Sequence, residues 1–240
     1  MPAATSTAPT MTTTTGTDPA SLLRLLAWLS PAFPTGGFAY SHGIEWAVES
    51  GDVRDAATLH DWVAATLRHG AGRSDAILLR HAHRAASAGD FEALVGVTAL
   101  ALATQPGRER VMEATGQGNA FVLAAAPWRP DLLVRVQART GDMPYAVAVG
   151  ALAGAHGVAE GVTVAAALQA FAANLISAAV RLVPLGQSAG LIVLAGLEPV
   201  VAQAAAATQA ATLDDVGGAC LRADIAAMRH ETQYTRLFRS

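Results

Sequence analysis

Gly186-Gln187-Ser188-Ala189-Gly190 has the G-x-S-x-G spacing that presents a serine nucleophile on a sharp turn. Asp214 or Asp215 and then His230 follow it in hydrolase order. Such an elbow needs a strand-to-helix turn above a parallel sheet. Here the preceding stretch, Leu175 to Leu182, reads as helix, Pro184 interrupts the chain, and no earlier βα units build a sheet. A helix–loop–helix corner accounts for the pattern better, which leaves a serine esterase using Ser188, Asp214 or Asp215, and His230 as the alternative reading. His81 and His83 stand two apart, on nearly opposite sides of a helix, and cannot chelate one ion. His42, Glu45, Trp46 and Glu49 are spaced to share one face of a single helix, a carboxylate–imidazole arrangement that would suit a metal. A solvated or partner-facing helix edge is the commoner meaning of that pattern. His60, His69 and His156 stand alone, and the single cysteine, Cys220, excludes an internal disulfide and a cysteine zinc site. No catalytic residue, metal or cofactor is expected.

The missing residue type is as informative. All 16 basic residues are Arg, and no Lys occurs in 240 residues. A Walker A loop needs a Lys on the nucleotide phosphates, so this chain has no P-loop of its own, and Schiff-base chemistry is excluded with it. A formal net charge of -3 gives no basic footprint for nucleic acid. The first residues lack the basic and apolar regions of a secretory signal, so none is expected, and the single cysteine fits a reducing cytoplasm. Mean hydropathy is high at +0.34. The uncharged stretch Gly161 to Val180 is nevertheless mostly Ala with Gln169, Asn174 and Ser177 inside it, and reads as a buried helix rather than a membrane span.

The elements that must position these residues are helices. Met1 to Thr17 is a Thr-rich leader with no periodicity, expected to be disordered. Asp18-Pro19 then supplies an N-cap and first helical residue, and Leu22, Leu25, Leu26 and Leu29 follow on one face. Ser30 to Gly37 is a loop with two prolines and two glycines. Further helices are predicted over about 39–50 and 55–69, from Ser74, from Asp90 to near Pro106, and over 107–126. Others open at Asp142-Pro144 and run over 163–182, 187–208 with a bend at Pro199, and from Arg222 to about Thr232. Only Leu132 to Val136 has strand character. About ten helices without a βαβ pattern predict an all-α, single-domain helical bundle over 18–229, followed by a tail at 230–240. Arg236 and Arg239 lie among Tyr234, Leu237 and Phe238 in that tail, a combination expected to order only against a receiving surface.

Three blocks in order carry a family resemblance: Leu29 to Glu49, with Ser-Pro-Ala-Phe-Pro-Thr-Gly-Gly-Phe-Ala-Tyr-Ser-His-Gly-Ile-Glu; Arg181-Leu-Val-Pro-Leu-Gly-Gln187; and His230-Glu-Thr-Gln-Tyr-Thr-Arg-Leu-Phe-Arg-Ser240. Together they resemble the urease accessory protein UreF family, more loosely so through Glu109 to Gly116. The resemblance implies an all-α, dimeric, cytoplasmic protein without catalysis of its own. Its implied partners are a UreD/UreH-type accessory protein, the GTPase UreG and apo-urease, in a complex that loads nickel under GTP control. Carried over position by position, it marks Gly36, Gly37, Phe38, Tyr40, Ser41, Gly43 and Glu45 in the first block and Arg181 and Gln187 in the second as partner-binding residues. In the third it marks Thr232, Tyr234, Arg236, Leu237, Phe238 and Arg239. A high apolar fraction with few charges also favours a homodimer.

Overall fold

The structure, a computed structural model, describes residues 18–240; the leader expected at 1–17 lies outside the described residues. The described chain has twelve α-helices and no strand. They are α1 (Pro19–Trp28), α2 (Ile44–Glu49), α3 (Ala56–His69), α4 (Ala71–Ala88), α5 (Phe91–Ala103) and α6 (Arg108–Ala124), then α7 (Asp131–Thr140), α8 (Tyr145–Ala155), α9 (Glu160–Leu182), α10 (Gly186–Gly196), α11 (Glu198–Ala207) and α12 (Leu221–His230). The starts follow from local chemistry. Asp18 accepts from the amides of Ala20 and Ser21, Asp55 and Thr58 form a reciprocal capping box, and Asp90 accepts from the amide of Ala93.

Two expectations about these elements are corrected. Leu132 to Val136 is not a strand but the first half of α7, because Leu133 and Val136, three apart, both point into the core while Val134 stays exposed. The helix expected over 187–208 is two helices broken at the buried Leu197, just before Pro199, which has no amide hydrogen to continue the first.

The centre of the bundle is the contact of α4 with α8. A Cβ at Gly150 would fall 2.3 Å from the carbonyl oxygen of Leu79, and one at Gly154 would fall 2.2 Å from that of His83. The two backbones therefore touch at matching four-residue steps, and the helices run in the same direction along the contact. Around them α9 packs against α2, α3, α4, α8, α10 and α11. Its length and composition would allow it to cross a membrane, as would those of the stretch Gly186–Ala207. Its place among six other helices accounts for that apolar character as core packing. Buried Arg80 on α4 ties the ends of this layer together: it pairs with Glu160 at the start of α9 and donates to Thr208 Oγ1 at 3.1 Å and to the Ala205 carbonyl at 2.6 Å.

Candidate functional site

Between the loop after α1 and the start of α2 the chain makes several turns that few residues tolerate. Gly36 has φ +74° and opens a single 3-10 turn over Gly37–Ala39. Tyr40 is extended, and then His42 (φ +58°) and Gly43 (φ +78°) are both left-handed before α2 begins. A Cβ on Gly43 would lie 2.7 Å from the amide nitrogen of Ala227, so this turn lets α2 and α12 touch. His42 is consequently not on a helix with Glu45, Trp46 and Glu49, and the single helix face that their spacing suggested does not exist. Glu45 points inward, and Glu49 is exposed.

Glu45 organises the site. Its Oε1 accepts from the amide of Leu237 at 2.6 Å, and its Oε2 accepts from the amide of Phe238 at 2.9 Å. The same Oε2 lies 2.9 Å from Nε2 of His230. On the other side of that ring, Nδ1 is 2.7 Å from Oε2 of Glu109, whose Oε1 accepts from Arg236 at 2.9 Å. The His230 side chain is 0 % exposed, with a carboxylate on each ring nitrogen. One helical turn further along α6, Glu113 Oε2 accepts from Arg110 at 2.5 Å and from the Ser240 hydroxyl at 2.7 Å. His42 Nδ1 is 3.4 Å from its Oε1. Burial would raise the pKa of Glu113, but Arg110, His42 and the Ser240 hydroxyl outweigh it and hold the carboxyl well below its ordinary range. Burial, aided by Arg110, pushes the pKa of His42 down.

The backbone completes the clamp. Ser41 donates from its amide, at 2.7 Å, and from its hydroxyl to the Ser240 carbonyl, and the amide of Arg239 donates to the Ala39 carbonyl at 2.8 Å. Arg181, at the end of α9, donates to the Phe38 carbonyl at 2.9 Å and lies 4.2 Å over the Phe238 ring. Arg181 thus joins all three sequence blocks at one place.

The tail expected to order only against a partner is in fact docked on its own chain. Apolar burial of Leu237 and Phe238 is not what holds this segment; polar satisfaction is, since Glu45, Glu109 and Glu113 each take at least one hydrogen bond from it. Of the large apolar side chains in the tail Phe238 is buried, whereas Leu237 is 64 % exposed and Tyr234 fully so; Phe38, in the first block, is 73 % exposed. Tyr40, expected to present its ring at an interface, is only 5 % exposed and turns its hydroxyl towards Gly116 of α6. Gln187 sits exposed at the start of α10, outside this cluster, and Thr232 bonds only to the carbonyl of Arg229. The side chain of Arg239 is exposed. Sequence reasoning missed Glu109, Arg110 and Glu113 as site residues, although their i,i+3 and i,i+4 spacing on one helix was a usable signal.

The hydrolase alternative fails on geometry. Ser188 is exposed on α10, preceded by a helix and not a strand, while both nitrogens of His230 are occupied by Glu45 and Glu109. Asp214 and Asp215 belong to a 3-10 turn held by Arg73, which donates to the Asp215 carbonyl. Among the described residues no group of three His, Cys, Asp or Glu side chains is set to hold a metal ion.

Residues 53–198 match the family model described as UreF. Three relatives, all described as urease accessory protein UreF, align over nearly the whole chain. That of Methylorubrum populi is 56% identical over 91% of this chain and 98% of its own length. That of Rhodopseudomonas palustris strain BisA53 is 55% identical over 92% and 94%, and that of Bradyrhizobium sp. strain BTAi1 is 52% identical over 93% and 93%. The chain belongs to the UreF family. In this UreF-family member the matched span holds Arg110, Glu113 and Arg181, whereas Glu45 and the docked tail lie outside it. The site described above is therefore built by joining residues of the matched span to both flanking segments.

Proposed function

We propose that this chain is a non-catalytic scaffold in urease maturation, which in the cytoplasm bridges a UreD/UreH-type partner and the GTPase UreG on apo-urease and regulates GTP-dependent nickel delivery. Membership of a family whose relatives are described as urease accessory proteins supports the pathway. The absence of Lys supports a division of labour in which the nucleotide is bound by the partner GTPase. The observation that carries the scaffold reading is the plate formed where the three blocks meet. Phe38 and Leu237 are exposed on backbone that Arg181 and Glu45 hydrogen-bond, and Tyr234, three residues before Leu237, is fully exposed. Large apolar side chains kept in water on a pre-ordered support suit protein recognition, since little ordering entropy is left to lose on contact. Glu45, Ser41 and Gly43, all buried, then act by positioning this plate, whereas Arg181, exposed beside Phe38, both positions it and is open to the partner. The scaffold also works as a homodimer in this reading, which sedimentation at micromolar concentration checks.

The test is co-purification of the chain with UreD/UreH- and UreG-type proteins, with and without GTP. Replacing Phe38, Tyr234 and Leu237 together by Ala should abolish capture of the partners while leaving far-UV circular dichroism unchanged. Undiminished capture by the triple variant overturns the assignment of the plate. Stoichiometric GTP binding by this chain alone overturns the scaffold reading itself.

A further inference from the structure

A cavity of about 290 Å³ lies between α4, α6, α8 and α9, beneath the loop that carries Phe33 and Phe38. Its walls are mainly apolar, including Leu79, Val149 and Phe171. Asp75, on the first turns of α4, lines it, and its carboxylate takes part in no hydrogen bond or ion pair among the described residues. Tyr145 and Asn174 line the same space, and their side chains likewise make no hydrogen bond within the described chain. The other charges at the cavity cancel: Arg110 is bonded to Glu113, and His42, beside Glu113, is held towards its neutral form by burial. One carboxylate is left over in an otherwise apolar enclosure. Burial, with Glu113 adding to it, raises the pKa of Asp75 to about 6 against the pull of Arg110, so at neutral pH the group is ionised at an energetic cost.

We propose that this cavity is a binding site for a small organic cation, with an ammonium group on the Asp75 carboxylate and an apolar body against Leu79, Val149 and Phe171. Charge complementarity selects the cation, because an ammonium supplies the missing positive charge. The Tyr145 and Asn174 oxygens give it further acceptors. The apolar walls select an organic body over an inorganic ion. A hydrated divalent cation needs roughly six oxygen ligands, and apolar walls cannot replace its water. The volume is at the lower end of ordinary ligand pockets, which limits the body to about one ring or a short alkyl chain.

The experiment uses the full chain near pH 7.5 and compares benzylamine with benzyl alcohol, which has the same body without the charge. Titration calorimetry should show benzylamine binding at least about tenfold more tightly, the ratio expected for one charge-assisted hydrogen bond. Asp75→Asn should erase that preference. In the unaltered, methyl-labelled chain, benzylamine should give nuclear Overhauser contacts to the methyl groups of Leu79 and Val149. Equal affinity for amine and alcohol, a preference that survives in Asp75→Asn, or no contacts to those methyl groups overturns the proposal. If Asp75→Asn does not fold, the affinity ratio and the contacts in the unaltered chain decide it.

Discussion

Glu45→Gln should release the tail without unfolding the bundle. The carboxylate spreads three contacts over two oxygens: the amides of Leu237 and Phe238 and Nε2 of His230. An amide side chain keeps one acceptor oxygen and turns an NH₂ group, itself a donor, towards at least one of these partners. Hydrogen bonds to a buried carboxylate are worth about 1.5–3 kcal/mol each. A loss of about 3 kcal/mol at the tail raises its open population by roughly 150-fold, since each 1.36 kcal/mol is a factor of ten. Most of the helical core makes no contact with Glu45, so the loss falls on the strap and not on the whole fold. Trypsin supplies the assay, because the bond after Arg236 is the one whose following amide is held by Glu45. Where opening and closing outpace cleavage, the cutting rate follows the open population. Glu45→Gln should therefore be cut after Arg236 about a hundredfold faster than the unaltered chain, with unchanged helicity. Cutting within a factor of about three of the unaltered rate, in a variant that folds, would refute the idea that Glu45 holds the tail.

Asp75→Asn should stabilise the fold at pH 8 by about 3 kcal/mol, the equivalent of a carboxyl raised from 3.8 to about 6. A carboxyl with a raised folded pKa favours the folded state most when protonated, so the gain from the Asn variant should fade as pH falls through 6 towards 3.8, which urea midpoints at several pH values check. Glu113→Gln should act the other way: Glu113 is depressed in the folded chain, so its contribution is present above 4.5 and is lost as pH falls below it, and the variant's deficit in the same titration should shrink on acidification from pH 7 to pH 3. Gly154→Ala should lower the melting temperature by at least about 5 °C, because its Cβ would lie 2.2 Å from the His83 carbonyl and backbone on both sides must move. Thermal melts followed by circular dichroism measure this directly.

Much of this protein is decided within a few residues along the chain. Asp18 and Pro19 start α1, Asp55 and Thr58 start α3, and Asp90 starts α5, each by satisfying amides next door in sequence. The absence of Lys excludes a P-loop whatever the fold. The three blocks mark the segments that meet, and Arg181, a lone charge in a long uncharged stretch, is the residue that joins them. What lies beyond this range was decided by packing. Leu132 to Val136 carries β-branched residues suited to a strand, yet it has a place only as the helix that buries Leu133 and Val136. The spacing of His42 and Glu45 suits one helix face, yet His42 and Gly43 are both left-handed because Gly43 must lie against Ala227, in a helix that forms nearly two hundred residues later. The tail shows the same limit from the other side. Its charges and apolar side chains look like a segment waiting for a partner, but three carboxylates on α2 and α6 are already in place to receive its arginine, amides and hydroxyl. Local rules describe which neighbours a residue can satisfy itself with. They do not say which distant groups will be left unsatisfied, and Glu45 meets the amides of Leu237 and Phe238 only because the packing of α2 against α12 leaves them facing each other.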